Sequence, residues 1–189
     1  MPGSLKNWQE NNLYLNGMIA QTPWIERTFN FDFPLGLFPV IFSRLEGSIF
    51  RLHSLLLNAD EDLCSINDKG WSVKEHTGHL SDLEGLWKKR LEDFMSNKAI
   101  LTPADINNPG TKEARHNEKT LEQLLSQFTL KRQGMLESVY NADTALLSRT
   151  SVHPRLNIPM RFIDALYFVA EHDDHHISAI STLLRKPVG

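Results

Sequence analysis

The 189-residue chain has one cysteine, no long apolar run and no surplus of basic residues. The lone thiol, Cys64, has no partner for an internal disulfide, so the fold must rest on its core. No stretch strings together the roughly 20 apolar residues that span a bilayer, because charges interrupt every helical segment; an integral membrane protein is excluded. The N-terminus has no basic segment leading into an apolar run, so we expect no secretory signal and a cytoplasmic location. Lys and Arg number 20 against 23 Asp and Glu, a net charge of −3. Such a balance gives no basic excess for gripping phosphates, and nucleic acid is not expected as a partner. Internal repeats and low-complexity tracts are missing too, and strand-like alternation is confined to the N-terminal stretch.

What is present is helical periodicity. Phe38, Ile41, Phe42, Leu45, Ile49, Leu52, Leu55 and Leu56 recur at three and four, the spacing of an amphipathic helix. A polar loop through Asp60, Asn67, Asp68 and Gly70 follows. Ser72 and Glu75 then have the spacing of a capping box, which opens a second helix carrying Leu83, Leu86, Leu91 and Phe94 and ending near Asn97. The next twenty or so residues, with Pro103, Asn107, Asn108, Pro109 and Gly110, read as a long connection. A third helix is predicted from near Asn117 through Val139. A fourth runs from about Met160 to Leu184, with Pro159 in its first turn and Pro187 as its stop. We therefore expect an all-α four-helix bundle over residues 38–189, forming a single domain with an aromatic N-terminal arm over residues 1–37. The arm holds Trp8 and Trp24, then Phe29, Phe31 and Phe33 at alternating positions, a period suited to an extended segment laid on a core, with a short helix at its start.

The chemistry concentrates in histidine. His172 and His176 are four apart on the fourth helix and share a face with Ala165, Val169, Ala179 and Leu183, which is that helix's apolar stripe. Two imidazoles so placed point into the core, where they are costly unless they bond to something. On the second helix His79 shares its face with Leu83 and Leu86, so a third imidazole points inward. His79 lies about 10 Å from the start of its helix and His176 about 12–15 Å from the end of the fourth, at 1.5 Å per residue. The three meet at one level if the second and fourth helices are antiparallel. That holds for an up-down-down-up course in which the long crossover makes helices two and three parallel. We therefore expect His79, His172 and His176 to ligate a divalent metal, zinc or nickel, near the end of the bundle where helices two and three begin. Three ligands leave a coordination position for water or substrate, and we expect it to face solvent between those helix starts.

Other residues are ranked around this centre. Asp82, Glu75 and Asp174 are candidates to accept the second ring proton of a ligand. His76, about 60° round the helix from His79, is a candidate for the pocket wall. His116 and Asn117 are placed at the mouth, Asn117 as a helix cap and His116 as a substrate contact. His175 is read as a flank, His53 as a surface residue and His153 as lying at the opposite end of the bundle. Cys64 is expected to be a buried thiol and Trp71 a hydrophobic staple. No catalytic group beyond the metal ligands is assigned.

The run Trp71-Ser72-Val73-Lys74-Glu75-His76-Thr77-Gly78-His79-Leu80 resembles the second-helix signature of the DinB/YfiT-like family of metalloenzymes. The segment Glu171-His172-Asp173-Asp174-His175-His176 resembles that family's fourth-helix signature, and the likeness extends from about Phe38 to Leu184. The resemblance implies the same bundle with its up-down-down-up course, a nickel- or zinc-type ion on His79, His172 and His176, and a homodimer. Relatives include transferases and isomerases that use a low-molecular-weight thiol such as glutathione, mycothiol or bacillithiol. The leading expectation is a metal-dependent S-transferase acting on a small molecule with such a thiol as cosubstrate. Alternatives are a hydrolase using metal-activated water and a non-enzymatic, metal-stabilised stress or binding protein. Asp173 stands where a zinc protease motif has its glutamate, but it points about 80° away from the ligand pair and is one methylene shorter.

Overall fold

The computed structural model describes residues 20–67, 70–105 and 109–185. Trp8, Asp68, Asn107, Asn108 and Pro187, the helix expected at the start of the arm and the first part of the arm itself lie outside the described residues.

Helix α1 spans Phe38–Leu56 and buries Ile41, Leu45, Ile49, Leu52 and Leu56, the stripe read from its periodicity. Helix α2, Val73–Met95, opens on the expected capping box. The Glu75 amide donates to Ser72 Oγ at 3.1 Å while the Glu75 carboxylate accepts from the Ser72 amide at 2.8 Å. Just past its end Asn97 turns to φ 55°, where asparagine is tolerated better than most residues. A five-residue helix, α3 (Pro109–Glu113), interrupts the crossover that had been read as wholly irregular. The long helices α4, Leu121–Tyr140, and α5, Phe162–Arg185, complete the bundle.

The direction of each helix follows from which ends share a core. At one end, Ile49, Leu52 and Leu56 of α1 pack with Val73 and Leu80 of α2, Leu121 and Phe128 of α4, and Ile177 and Ile180 of α5. At the other, Ile41 and Leu45 meet Leu91 and Phe94, Met135 and Val139, and Ile163 and Leu166. The late parts of α1 and α5 thus sit with the early parts of α2 and α4. This is the expected up-down-down-up course. Between the two cores lies a buried ionic layer in which Arg132 of α4 pairs with Glu84 of α2 and Asp173 of α5. Burial works against the Arg132 charge, but the two carboxylates hold it firmly protonated. Burial pushes the Glu84 carboxyl up, with Arg132 pulling it down and Asp173 adding to the rise.

Three local expectations are corrected. The third long helix begins at Leu121 rather than near Asn117, because Thr120 and Gln123 form a reciprocal capping box and Lys119 is extended. Asn117 instead lies in a 3₁₀ turn, where its side-chain oxygen accepts from Ser72 Oγ at 2.6 Å. The fourth long helix begins at Phe162, and Pro159 belongs to a strand. That strand, β2 (Ile158–Arg161), pairs antiparallel with β1 (Thr150–His153), a hairpin not anticipated from the sequence. Asn157 closes its turn at φ 53°. The crossover joins the hairpin, with Leu101 N donating to Val152 O at 3.0 Å and Val152 N to Ala99 O at 2.9 Å.

The described part of the arm is extended apart from 3₁₀ turns at Trp24–Glu26 and at Leu35–Leu37, where it meets α1. Its alternation holds: Phe29, Phe31 and Phe33 are half-buried against the core while the residues between them are exposed. Arg161 fastens it by donating to the carbonyls of Phe31 and Phe33 at 2.8 and 3.0 Å. Arg27 of the arm pairs with Glu171 of α5.

Candidate metal centre

Helices α2 and α5 run antiparallel, and their facing stripes bring His79, His172 and His176 together with one ring nitrogen of each within 4.8 Å of the others. All three are buried. The Nε2 atoms of His172 and His176 are 3.1 Å apart, near the separation of about 3.4 Å expected of two nitrogens on one tetrahedral ion at roughly 2.1 Å. Burial pushes the His79 pKa down to about 4, despite the pull of Asp82 in the opposite direction. Burial and the neighbouring imidazoles hold His172 and His176 well below the usual range as well. All three rings are therefore neutral near pH 7, which is the form that ligates a cation.

The outer nitrogen of His79 fixes its tautomer. His79 Nδ1 lies 2.9 Å from Thr111 Oγ1, and Thr111 Oγ1 lies 3.0 Å from Asp82 Oδ2. A carboxylate only accepts, so the single Thr111 proton goes to Asp82 and His79 Nδ1–H must donate to Thr111. That leaves the His79 Nε2 lone pair facing the cluster. Asp82 also accepts from His116 Nε2 at 2.8 Å. Burial works to raise the Asp82 pKa, but the bonds from His116 and Thr111 prevail and keep it below its ordinary value. His176 Nδ1 meets His76 Nδ1 at 2.8 Å. The Nδ1 of His172 is buried with no hydrogen-bond partner, and its ring stands nearly edge-on to Trp24, with centroids 5.0 Å apart.

The remaining residues singled out from the sequence fall into two groups. Asp82, His76 and His116 all belong to the surroundings of the three histidines, Asp82 through Thr111 rather than directly. Trp71 does more than pack at the helix start, since its ring stacks on His176 with centroids 5.8 Å apart. Asp174 is a correction: half a turn round α5 from the histidine stripe, it pairs with Arg44 and Arg51 of α1. Glu75 is taken by its capping box. Asp173 is held by Arg132 and by Ser48 Oγ at 2.7 Å, so it faces the ionic layer and not the cluster. His53 is exposed and reaches Thr129, Cys64 is buried, and His175 packs beside Trp24.

The direction of access also differs from expectation. His116 is 2% exposed and lies against Gly78, which closes the side between the starts of α2 and α4. The histidines open instead into a cavity of about 480 Å³ that runs along α2 and α5. Leu83, Leu86, Trp87 and Arg90 of α2 and Phe168 of α5 continue from the histidines along it. Trp24 and Ile25 of the arm, Pro103 and Asp105 of the crossover, and His153 and Arg155 of the hairpin form the rest of the wall. His153 thus lines the same cavity, at its end away from the three histidines. The hairpin folds back along α5, setting its ring 5.1 Å from Phe168 and its Nε2 3.3 Å from Arg90. Thr111, Trp87, Arg90 and Arg155 were missed in the sequence, where only the alignment of positions 83, 86, 87 and 90 with His79 on one helix face offered a signal.

A four-helix bundle of up-down-down-up course, with three convergent histidines opening on a cavity between α2 and α5, defines the class. The model of the DinB superfamily matches residues 44–180, and the chain belongs to that superfamily. Its fold is similar to a solved structure described as "YfiT from Bacillus subtilis is a probable metal-dependent hydrolase with an unusual four-helix bundle topology". The TM-score is 0.71 at 17% identity, covering 84% of this chain and 91% of that one. No curated protein matches the chain in sequence. Among the described residues no helix is long and apolar enough to cross a membrane.

Proposed function

We propose that the protein is a metal-dependent enzyme in which His79, His172 and His176 hold a zinc- or nickel-type ion through Nε2, most simply a transferase using a low-molecular-weight thiol. The observation that carries this reading is the convergence of three neutral, buried imidazoles on the wall of an open cavity. Two of the three have the outer hydrogen bond that a ligating imidazole usually makes: Thr111 and Asp82 orient His79, and His76 accepts from His176, while His172 is held by packing against Trp24. Bound there, the ion would supply Lewis acidity, lowering the pKa of a thiol or water that reaches it. The chain's own part is to fix the three rings, to exclude bulk water with Trp24, Trp71 and Trp87, and to seat a small molecule along the cavity. Metal analysis of the purified chain, followed by incubation of zinc- and nickel-loaded samples with cellular thiols and a generic electrophile, tests the proposal. Absence of metal-dependent conjugation with any thiol would count against transfer.

Hydrolysis is the second reading, supported by the description of the solved structure of like fold. It lacks the obvious base, because Asp173 is committed to Arg132. A panel of esters and amides, compared between parent and His172→Ala, separates the two. We further take the protein to be a cytoplasmic homodimer. The single cysteine and the exposed Phe50 and Leu130 on α1 and α4 support this, and sedimentation measures the assembly.

A further inference from the structure

We propose that the cavity takes an elongated, mainly apolar or aromatic molecule carrying one anionic group, which Arg90 and Arg155 bind at the end remote from the three histidines. Arg90 is 5% exposed, yet no carboxylate lies within ion-pair distance of it among the described residues. Its Nε donates to the Thr102 carbonyl at 2.9 Å, and its Nη1 points at His153. Arg155 makes no ion pair among the described residues either; it donates to the Ile25 carbonyl at 3.3 Å and lies over the Phe168 ring. Burial lowers the Arg90 pKa to about 10; Asp93 pulls it back up from beyond ion-pair distance, and the second guanidinium on the same cavity wall, Arg155, adds to the fall. A buried cation left so poorly compensated is a binding site for an anion rather than a structural pair. The planar guanidinium fork also matches pairs of oxygens on a carboxylate, sulfonate or phosphonate.

The length of the molecule follows from the helix. His79 and Arg90 are eleven residues apart on one face of α2, about 16 Å at 1.5 Å per residue. Leu83, Leu86 and Trp87 floor the interval and Phe168 faces them, so the body between the two ends must be apolar. This inference relies on the metal-centre reading only to say which end reacts.

Calorimetry on the zinc-loaded full chain provides the test, with phenylhexanoate, phenylhexanesulfonate and phenylhexanephosphonate as probes against neutral phenylhexanamide and ring-less hexanoate. The acids are expected to bind about tenfold or more tightly than either control. Comparison among the three acids shows which oxyanion fits. Arg155→Gln, at an exposed hairpin position, should cut the preference for acid over amide several-fold with zinc content unchanged; Arg90→Gln should abolish it. Equal affinity for acid and amide, a preference unmoved by Arg155→Gln, or no binding of any probe overturns the inference. Zinc content of the same samples keeps the two readings apart. A chain that takes no zinc yet prefers the acids overturns the metal centre alone.

Discussion

Replacing Gly78 by alanine exposes the coupling between packing and the candidate centre. In an exposed helix interior this change stabilises by about 1 kcal/mol, because glycine loses more backbone freedom. At Gly78 a Cβ would stand under 3.0 Å from three atoms of the His116 ring. That ring is buried and held by Asp82, so it cannot turn aside without breaking its hydrogen bond. Overpacking costs about 1–3 kcal/mol and a lost bond to a charged group about 1.5–3. Set against the propensity gain, Gly78→Ala should be less stable by roughly 2 kcal/mol or more, which lowers the melting temperature by about 4–8 °C for a chain of this size. Gly85 on the same helix is the control: nothing lies within 4 Å of its added Cβ, and Gly85→Ala should raise the midpoint by about 2–3 °C. Thermal unfolding followed by circular dichroism measures both. A Gly78→Ala variant that melts at or above the parent would falsify the close packing of His116 on α2.

Four further outcomes are expected. Thr111→Val keeps the shape but removes the hydroxyl between His79 and Asp82, and should weaken zinc binding about 10–100-fold in a chelator competition; unchanged affinity would refute the relay. His172→Ala should abolish stoichiometric metal in elemental analysis, and full retention would remove that residue from the ligand set. Arg132→Met leaves Glu84 and Asp173 buried without their cation and should cost about 3–5 kcal/mol in urea unfolding, whereas a neutral effect would mean the carboxylates find other partners. The metal-free protein should lose stability as pH falls from about 6.5 toward 4. The folded pKa values of His79, about 4, and His153, about 3, lie below the ordinary 6.5, so the unfolded chain takes up protons first. Urea midpoints that stay constant between about pH 7 and 5 would contradict this.

The bundle and the histidine cluster were legible because both depend on helical period. Apolar spacing in α1 and α5 gave the faces, and counting residues from the caps gave the common depth of His79 and His176. The hairpin was hidden because its strands are four residues long, carry Pro159 and bury only alternate positions, too short for a period to emerge. Without the hairpin nothing in the sequence could show that His153 and Arg155 line the cavity that begins at the histidines. Thr111 gave no signal at all: its contact with His79 crosses 32 residues through an irregular connection, and only a folded chain brings them together. The start of α4 was misjudged because His116–Glu118 is itself helix-like, and the capping box at Thr120 was passed over for Asn117.

The cavity wall has a mixed parentage. Its three histidines belong to α2 and α5, whereas Trp24, Asp105, His153 and Arg155 come from the arm, the crossover and the hairpin, segments that anchor to the core through other residues such as Phe29, Leu101 and Met160. Mutational drift at the exposed cavity-facing positions of those segments, such as Asp105 and Arg155, can proceed without threatening the packing that sets the histidines, so reactivity and selectivity are free to evolve at different rates. A chimera that exchanges the hairpin turn at 154–157 and the arm at 20–26 between superfamily members would redirect ligand choice while leaving metal affinity in place.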